Sequence, residues 1–123
     1  MAEFHFVEDY ERHVASLCES HPIDEAMALA VGGGGYSQIG EIERDILLYA
    51  GLNDGMYVID IGCGSGRLAS VLSRTGKSLQ YIGTDVVQKL LDYAASKSCK
   101  HFRFQLPAFD PGGKCFCRYR LCF

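Results

Sequence analysis

Apolar positions recur at three- and four-residue spacing near the start of the chain: Phe6, Val7, Tyr10, Val14, Leu17 and Cys18 fall on one face of an amphipathic helix. His21-Pro22 interrupts it. A short second helix follows, with Ile23, Met27 and Ala30 inward and Asp24 and Glu25 near its positive end. Gly32 to Gly35 lose too much backbone entropy to sit inside a helix or strand, so they form a loop. Ser37 is the expected cap of a third helix, which runs through Ile42, Ile46, Leu47 and Tyr49 to Ala50 and ends at Gly51 before the turn Asn53-Asp54-Gly55.

The period then changes. Met56 to Ile61 is short, β-branched and continuously apolar, which predicts a strand buried on both faces in a parallel sheet. Arg67 to Ser73 returns to helical spacing through Leu68, Val71 and Leu72, and Thr75-Gly76-Lys77 closes that helix. Leu79 to Thr84 makes a second strand ending at Asp85, so the segment is a βαβ unit with the usual right-handed crossover. Val87 to Ala95 is helical again, and His101 to Leu106 alternates as a third strand. The fold class expected is α/β: a Rossmann-like βαβ unit with an incomplete parallel sheet of about three strands, preceded by N-terminal helices.

Composition narrows the function classes. A chain of 123 residues is one domain at most, and with 48% apolar residues it has the material for a globular core. Twelve Lys plus Arg against fifteen Asp plus Glu leave no basic stripe, so no nucleic-acid partner is expected. No apolar run approaches the ~20 residues that cross a bilayer, and the acidic start lacks the pattern of a secretory signal. The expectation is therefore no membrane and a cytoplasmic protein, in which the six cysteines are thiols.

The chemistry is concentrated in Asp60-Ile-Gly62-Cys63-Gly64-Ser65-Gly66. A strand that ends in this turn and passes straight into a helix presents unpaired backbone N–H groups above its carboxyl end, and the glycines let a ligand approach closely. Nineteen residues beyond Gly66, Asp85 stands where an acceptor for two ribose hydroxyls is needed. Together they describe a nucleoside site. A dinucleotide fingerprint would need glycine in place of Arg67, and the carboxylate of Asp60 would repel a pyrophosphate while attracting the ammonium of an amino-acid-bearing nucleoside.

At these residues the chain resembles a known family. VIDIGCGSGRLA (Val58 to Ala69) followed by YIGTDVV is similar to the first two motifs of the class I S-adenosylmethionine-dependent methyltransferases, and the likeness covers roughly Gly33 to Leu106. It implies S-adenosylmethionine as cofactor and a small-molecule methyl acceptor. It also implies that the turn of Gly62, Gly64 and Gly66, with Cys63 and Ser65 between them, passes under the methionine and ribose portions. Asp60 would orient the amino end and Asp85 would take the ribose hydroxyls, while Thr84, Val86 and Val87 would flank the adenine. Tyr36 and Ser37 are candidates for a lid, with a plain flexible connector as the other reading of the glycines before them. Cys63 is read as a small packing residue in the turn, not a nucleophile. The domain limits that follow are 1–35 for a helical lead-in, 36–106 for a partial S-adenosylmethionine-binding domain and 107–123 for an irregular tail.

The chain also departs from that family, whose full domain has a seven-stranded sheet with the first strand central. Here that strand would lie at an edge, a template for pairing with a second copy, so a homo-oligomer through the exposed edge is expected. The ending AFDPGGKCFCRYRLCF has no helix or strand period and predicts a truncated or frame-altered product. Cys115, Cys117 and Cys122 lack the spacing of common zinc knuckles, so no metal is assigned, and Arg118 and Arg120 read as a solvated end. His5, His13, His21 and His101 stand beside no nucleophile at a useful spacing and are given surface or capping roles. Two other readings remain open: a noncatalytic remnant that self-associates, and an NAD- or FAD-binding oxidoreductase fragment, which Arg67 disfavours.

Overall fold

The computed structural model describes residues 5–109 and 115–116. Three helices come first, α1 (Phe6–Ser20), α2 (Ile23–Leu29) and α3 (Tyr36–Tyr49). The βαβ unit follows as β1 (Tyr57–Ile61), α4 (Arg67–Leu72) and β2 (Gln80–Thr84), then α5 (Gln88–Ser96) and β3 (Arg103–Gln105). The strands form one parallel sheet in the order β1-β2-β3, with Asp60 opposite Gly83 and Thr84 opposite Gln105. This is an incomplete Rossmann-like α/β fold, as the periodicity predicts. Ala108–Phe109 (β4) and Cys115–Phe116 (β5) pair antiparallel in a separate two-stranded sheet. The remainder of the tail, with Cys117 and Cys122 of the metal reading and the Arg118 and Arg120 patch, lies outside the described residues.

Two apolar clusters hold the chain together. Val14 of α1, with Met27 and Ala30, packs on Val87 and Leu90, so the N-terminal helices dock on α5. Ala69, Leu72, Leu79, Tyr81 and Phe102 fill the space between α4 and the sheet, with Leu47 of α3 and Val58 of β1 against them. Hydrophobic burial of this kind is the main favourable term in folding. His21 caps the end of α1: its ring Nδ1 lies 3.3 Å from Leu17 O, and its backbone N–H donates to the same carbonyl.

Several expectations are corrected. The inward stripe of α1 is Tyr10, Val14, Leu17 and Cys18, while Phe6 and Val7 stay exposed at its open end. Ile23 is also exposed, because seven residues bury only a narrow stripe and α2 commits Ala26 and Met27 to it. Ser37 does not cap α3: the cap falls two residues earlier, at Gly35 in the left-handed region (φ 76°), and Ser37 lies inside the first turn. Most consequential, β1 is not buried on both faces. Val58 packs on the core, but Tyr57, Ile59 and Ile61 are open on the other face, Ile61 at 85% exposure. Among the described residues β1 pairs only with β2, so its far edge is bare, as the strand count predicts.

Candidate functional site

The carboxyl ends of β1 and β2 are stitched together by backbone. Gly62 and Cys63 both donate their N–H to Thr84 O, at 2.8 and 2.9 Å. One residue further, the Gly64 N–H donates to Asp85 Oδ2 at 2.9 Å, and the Val87 N–H donates to Asp85 Oδ1 at 3.2 Å. The turn can bend this sharply because Gly62, Gly64 and Gly66 all have positive φ, which residues with a Cβ seldom adopt.

Under this turn lies a cavity of about 320 Å³, lined by Tyr10, Val31, Glu43, Asp60, Gly62, Cys63, Gly64, Arg67, Leu68 and Asp85. Three carboxylates meet there with one guanidinium. Arg67, the first residue of α4, is gripped by Glu43 of α3: its Nη2 lies 2.7 Å from Glu43 Oε1 and its Nε 3.4 Å from Oε2. The remaining charge is negative. Burial pushes the Asp60 carboxyl above the usual range, and Glu43 and Asp85 push it the same way; the hydrogen bond from Tyr81 and the charge of Arg67 oppose them. A cation placed here would relieve that repulsion.

Of the residues singled out from sequence, Asp60, Gly62, Cys63, Gly64 and Asp85 share this cavity. Tyr36, Ser65, Gly66 and Val86 stand outside it. The Ser65 hydroxyl donates to Met27 O at 3.0 Å and lies 3.1 Å from the Tyr36 hydroxyl, so the two tie α3 and α2 to the turn from behind. Gly66 lets α5 approach: a Cβ there would sit 2.7 Å from that of Ala94. Val86 packs with the N-terminal cluster. Tyr36 and Ser37 line a second cavity on the helical face, together with Arg67, Arg74, Tyr93 and Lys97. Cys63 is buried, and desolvation with the nearby Asp60 and Asp85 pushes its thiol up to about 12, which leaves it protonated and unreactive.

Tyr10, Glu43 and Arg67 are wall residues that the motif reading passes over. Tyr10 reads as helix stripe and Arg67 as the missing glycine, and Glu43 is not singled out. Only Arg67, directly after the third glycine, carries a local signal.

The bare turn fits a nucleoside with a cationic end. A Cβ at Gly62 would meet nothing within 4 Å, so the backbone there borders open space that a ligand can fill. A negative cavity at the carboxyl ends of parallel strands, floored by glycine and flanked by acidic residues at the ends of β1 and β2, lies where ligands enter open α/β sheets. Residues 52–106 match the family described as a methyltransferase domain. That match supports a partial class I S-adenosylmethionine-dependent methyltransferase domain, a family whose cofactor is S-adenosylmethionine. Among solved structures the chain is similar to a TehB-like SAM-dependent methyltransferase from Corynebacterium glutamicum, with 26% identity over 83% of this chain and a TM-score of 0.45. The chain spans 45% of that protein's length.

Proposed function

We propose that this chain binds S-adenosylmethionine in the cavity under the glycine turn and forms the cofactor-holding part of a methyltransferase acting on a small molecule. The observation that carries the reading is the convergence of Asp60, the bare Gly62 backbone and Asp85 on one cavity with surplus negative charge. When bound, the cofactor supplies a methyl group on a sulfonium, which passes to a nucleophilic atom of the acceptor as the thioether departs.

The chain's own residues bind and orient. Asp60 accepts the ammonium of the amino-acid end. Asp85 takes the ribose hydroxyls, since each of its oxygens accepts one backbone N–H and an ionised carboxylate has about four lone-pair sites. Ser65, Gly66 and Tyr36 fix the turn from behind, and Val86 and Val87 support Asp85. The lead-in before residue 36 covers the cavity through Tyr10 and Val31, and residues 36–106 hold the cofactor. A thermal-shift series tests this. S-adenosylhomocysteine should raise the melting temperature with increasing concentration while NAD leaves it unchanged, because only a ligand of the folded state stabilises it. Stabilisation by NAD alone would favour the oxidoreductase reading.

A second feature supports self-association. Among the described residues the edge of β1 is unpaired beside the exposed Tyr57, Ile59 and Ile61, and an apolar edge is a template for another strand. We propose that two copies pair through β1. Sedimentation should show a dimer that Ile61→Lys dissociates; a monomer at all concentrations would contradict it.

A further inference from the structure

Tyr81 is a polar residue in an apolar place. It sits on β2 at 1% exposure, its ring stacked on Phe102 with centroids 4.8 Å apart and tilted against Phe104 at 5.6 Å. A phenylalanine would fill this core slot. Instead the hydroxyl crosses to the neighbouring strand and donates to Asp60 Oδ2 at 2.6 Å. Burying a hydroxyl is costly unless it finds a partner, and here the partner is the motif aspartate. Nothing else binds Asp60 among the described hydrogen bonds, so its Oδ1 is left for the cavity.

We propose that Tyr81 is a positioning residue: its buried hydroxyl keeps the Asp60 carboxylate ionised and aimed into the cavity, ready for the ammonium of the bound nucleoside's amino-acid end. The inference rests on the cofactor reading above and names the device that lets a half-buried carboxylate do this work. The groups facing Asp60 come from every side: Glu43 from α3, Arg67 from α4, Cys63 from the turn, Asp85 from the end of β2 and Tyr81 from β2 itself. Glu43 and Asp85 favour its protonation, as burial does. The charge of Arg67, shared with Glu43, opposes them, and among the described residues the Tyr81 hydrogen bond is the one made directly to the carboxylate.

The test is calorimetric titration of the whole chain with S-adenosylhomocysteine from pH 5 to 8, for wild type and Tyr81→Phe. A parallel series uses 5′-methylthioadenosine, which keeps the nucleoside and thioether but has no amino-acid end. Tyr81→Phe keeps the stacked ring, so the fold should persist, with circular dichroism as the control. The expected result is a loss of about tenfold in affinity for S-adenosylhomocysteine near neutrality, the scale of one hydrogen bond to a charged group. The pH midpoint of binding should move upward, and affinity for methylthioadenosine should stay within about twofold. In the Asp60→Asn background the same tyrosine change should add less than about a twofold loss, because no charge remains to be held. Equal pH profiles for wild type and Tyr81→Phe, or equal losses for both ligands, would overturn the inference while leaving the cofactor reading intact. No binding of either ligand by folded wild-type protein would overturn both.

Discussion

The backbone N–H of Gly64 donates to the carboxylate of Asp85, so the turn after β1 and the end of β2 are one hydrogen-bonded unit before any ligand arrives. The same side chain also accepts the Val87 N–H that leads into α5, and it is only 9% exposed. Asp85→Ala therefore strands two backbone donors, at about 1–3 kcal/mol for each buried group left unpaired. Urea denaturation should show that loss, while Asp85→Asn, which keeps an acceptor oxygen, should fall between the alanine variant and wild type.

Glycines of the same turn should separate stability from binding. Gly66→Ala drives a Cβ to 2.7 Å from that of Ala94 at a φ of 85°, so it should lower the melting temperature sharply. Gly62→Ala meets nothing within 4 Å, so it should cost only the strain of its positive φ, about 1 kcal/mol, and yet abolish nucleoside binding by occupying the open space. Equal effects of the two on both measurements would contradict this division.

Asp60 should show a conflict between stability and function. Its carboxyl is shifted upward in the folded protein, by burial first. A raised carboxyl stabilises the fold below the ordinary carboxylate range, where it is protonated in both states, and this contribution is lost as pH rises through the shifted value. At neutral pH the ionised group thus opposes folding. Asp60→Asn should melt higher than wild type at pH 7, and the difference should shrink as pH falls below the carboxylate range, while S-adenosylhomocysteine binding is weakened but still measurable.

Cys63 should be the slowest of the described thiols to react. With its thiol pushed up to about 12 and its side chain buried, alkylation at pH 8 followed by peptide mapping should label Cys18 and Cys99, which are only partly buried, well before it. Early labelling of Cys63 would mean that the turn opens on that timescale.

What could be read from the sequence was local. The β-branched run into Asp60, the glycines and the helical spacing after Arg67 specify strand, turn and helix within twelve residues, and the structure places each within a residue or two of expectation. The open face of β1 was not legible, because VIDI encodes a strand that wants cover, not what covers it. The walls of the site were hidden for a related reason. Glu43 and Arg67 are 24 positions apart, and Tyr81 and Asp60 are 21 apart. The latter pair depends on the register of β1 against β2, which is selected by the face each strand buries in the packed sheet.

The central claim is that a nucleoside enters under the glycine turn, between Asp60 and Asp85. Backbone NMR of the ¹⁵N-labelled chain tests it most directly, by titration with S-adenosylhomocysteine. The amide resonances of Gly62, Gly64 and Asp85 should move together and saturably, with those of Arg67 and Tyr10 following. Saturable shifts confined to the second cavity, around Ser37, Arg74 and Lys97, or no shifts in a folded protein, would contradict it.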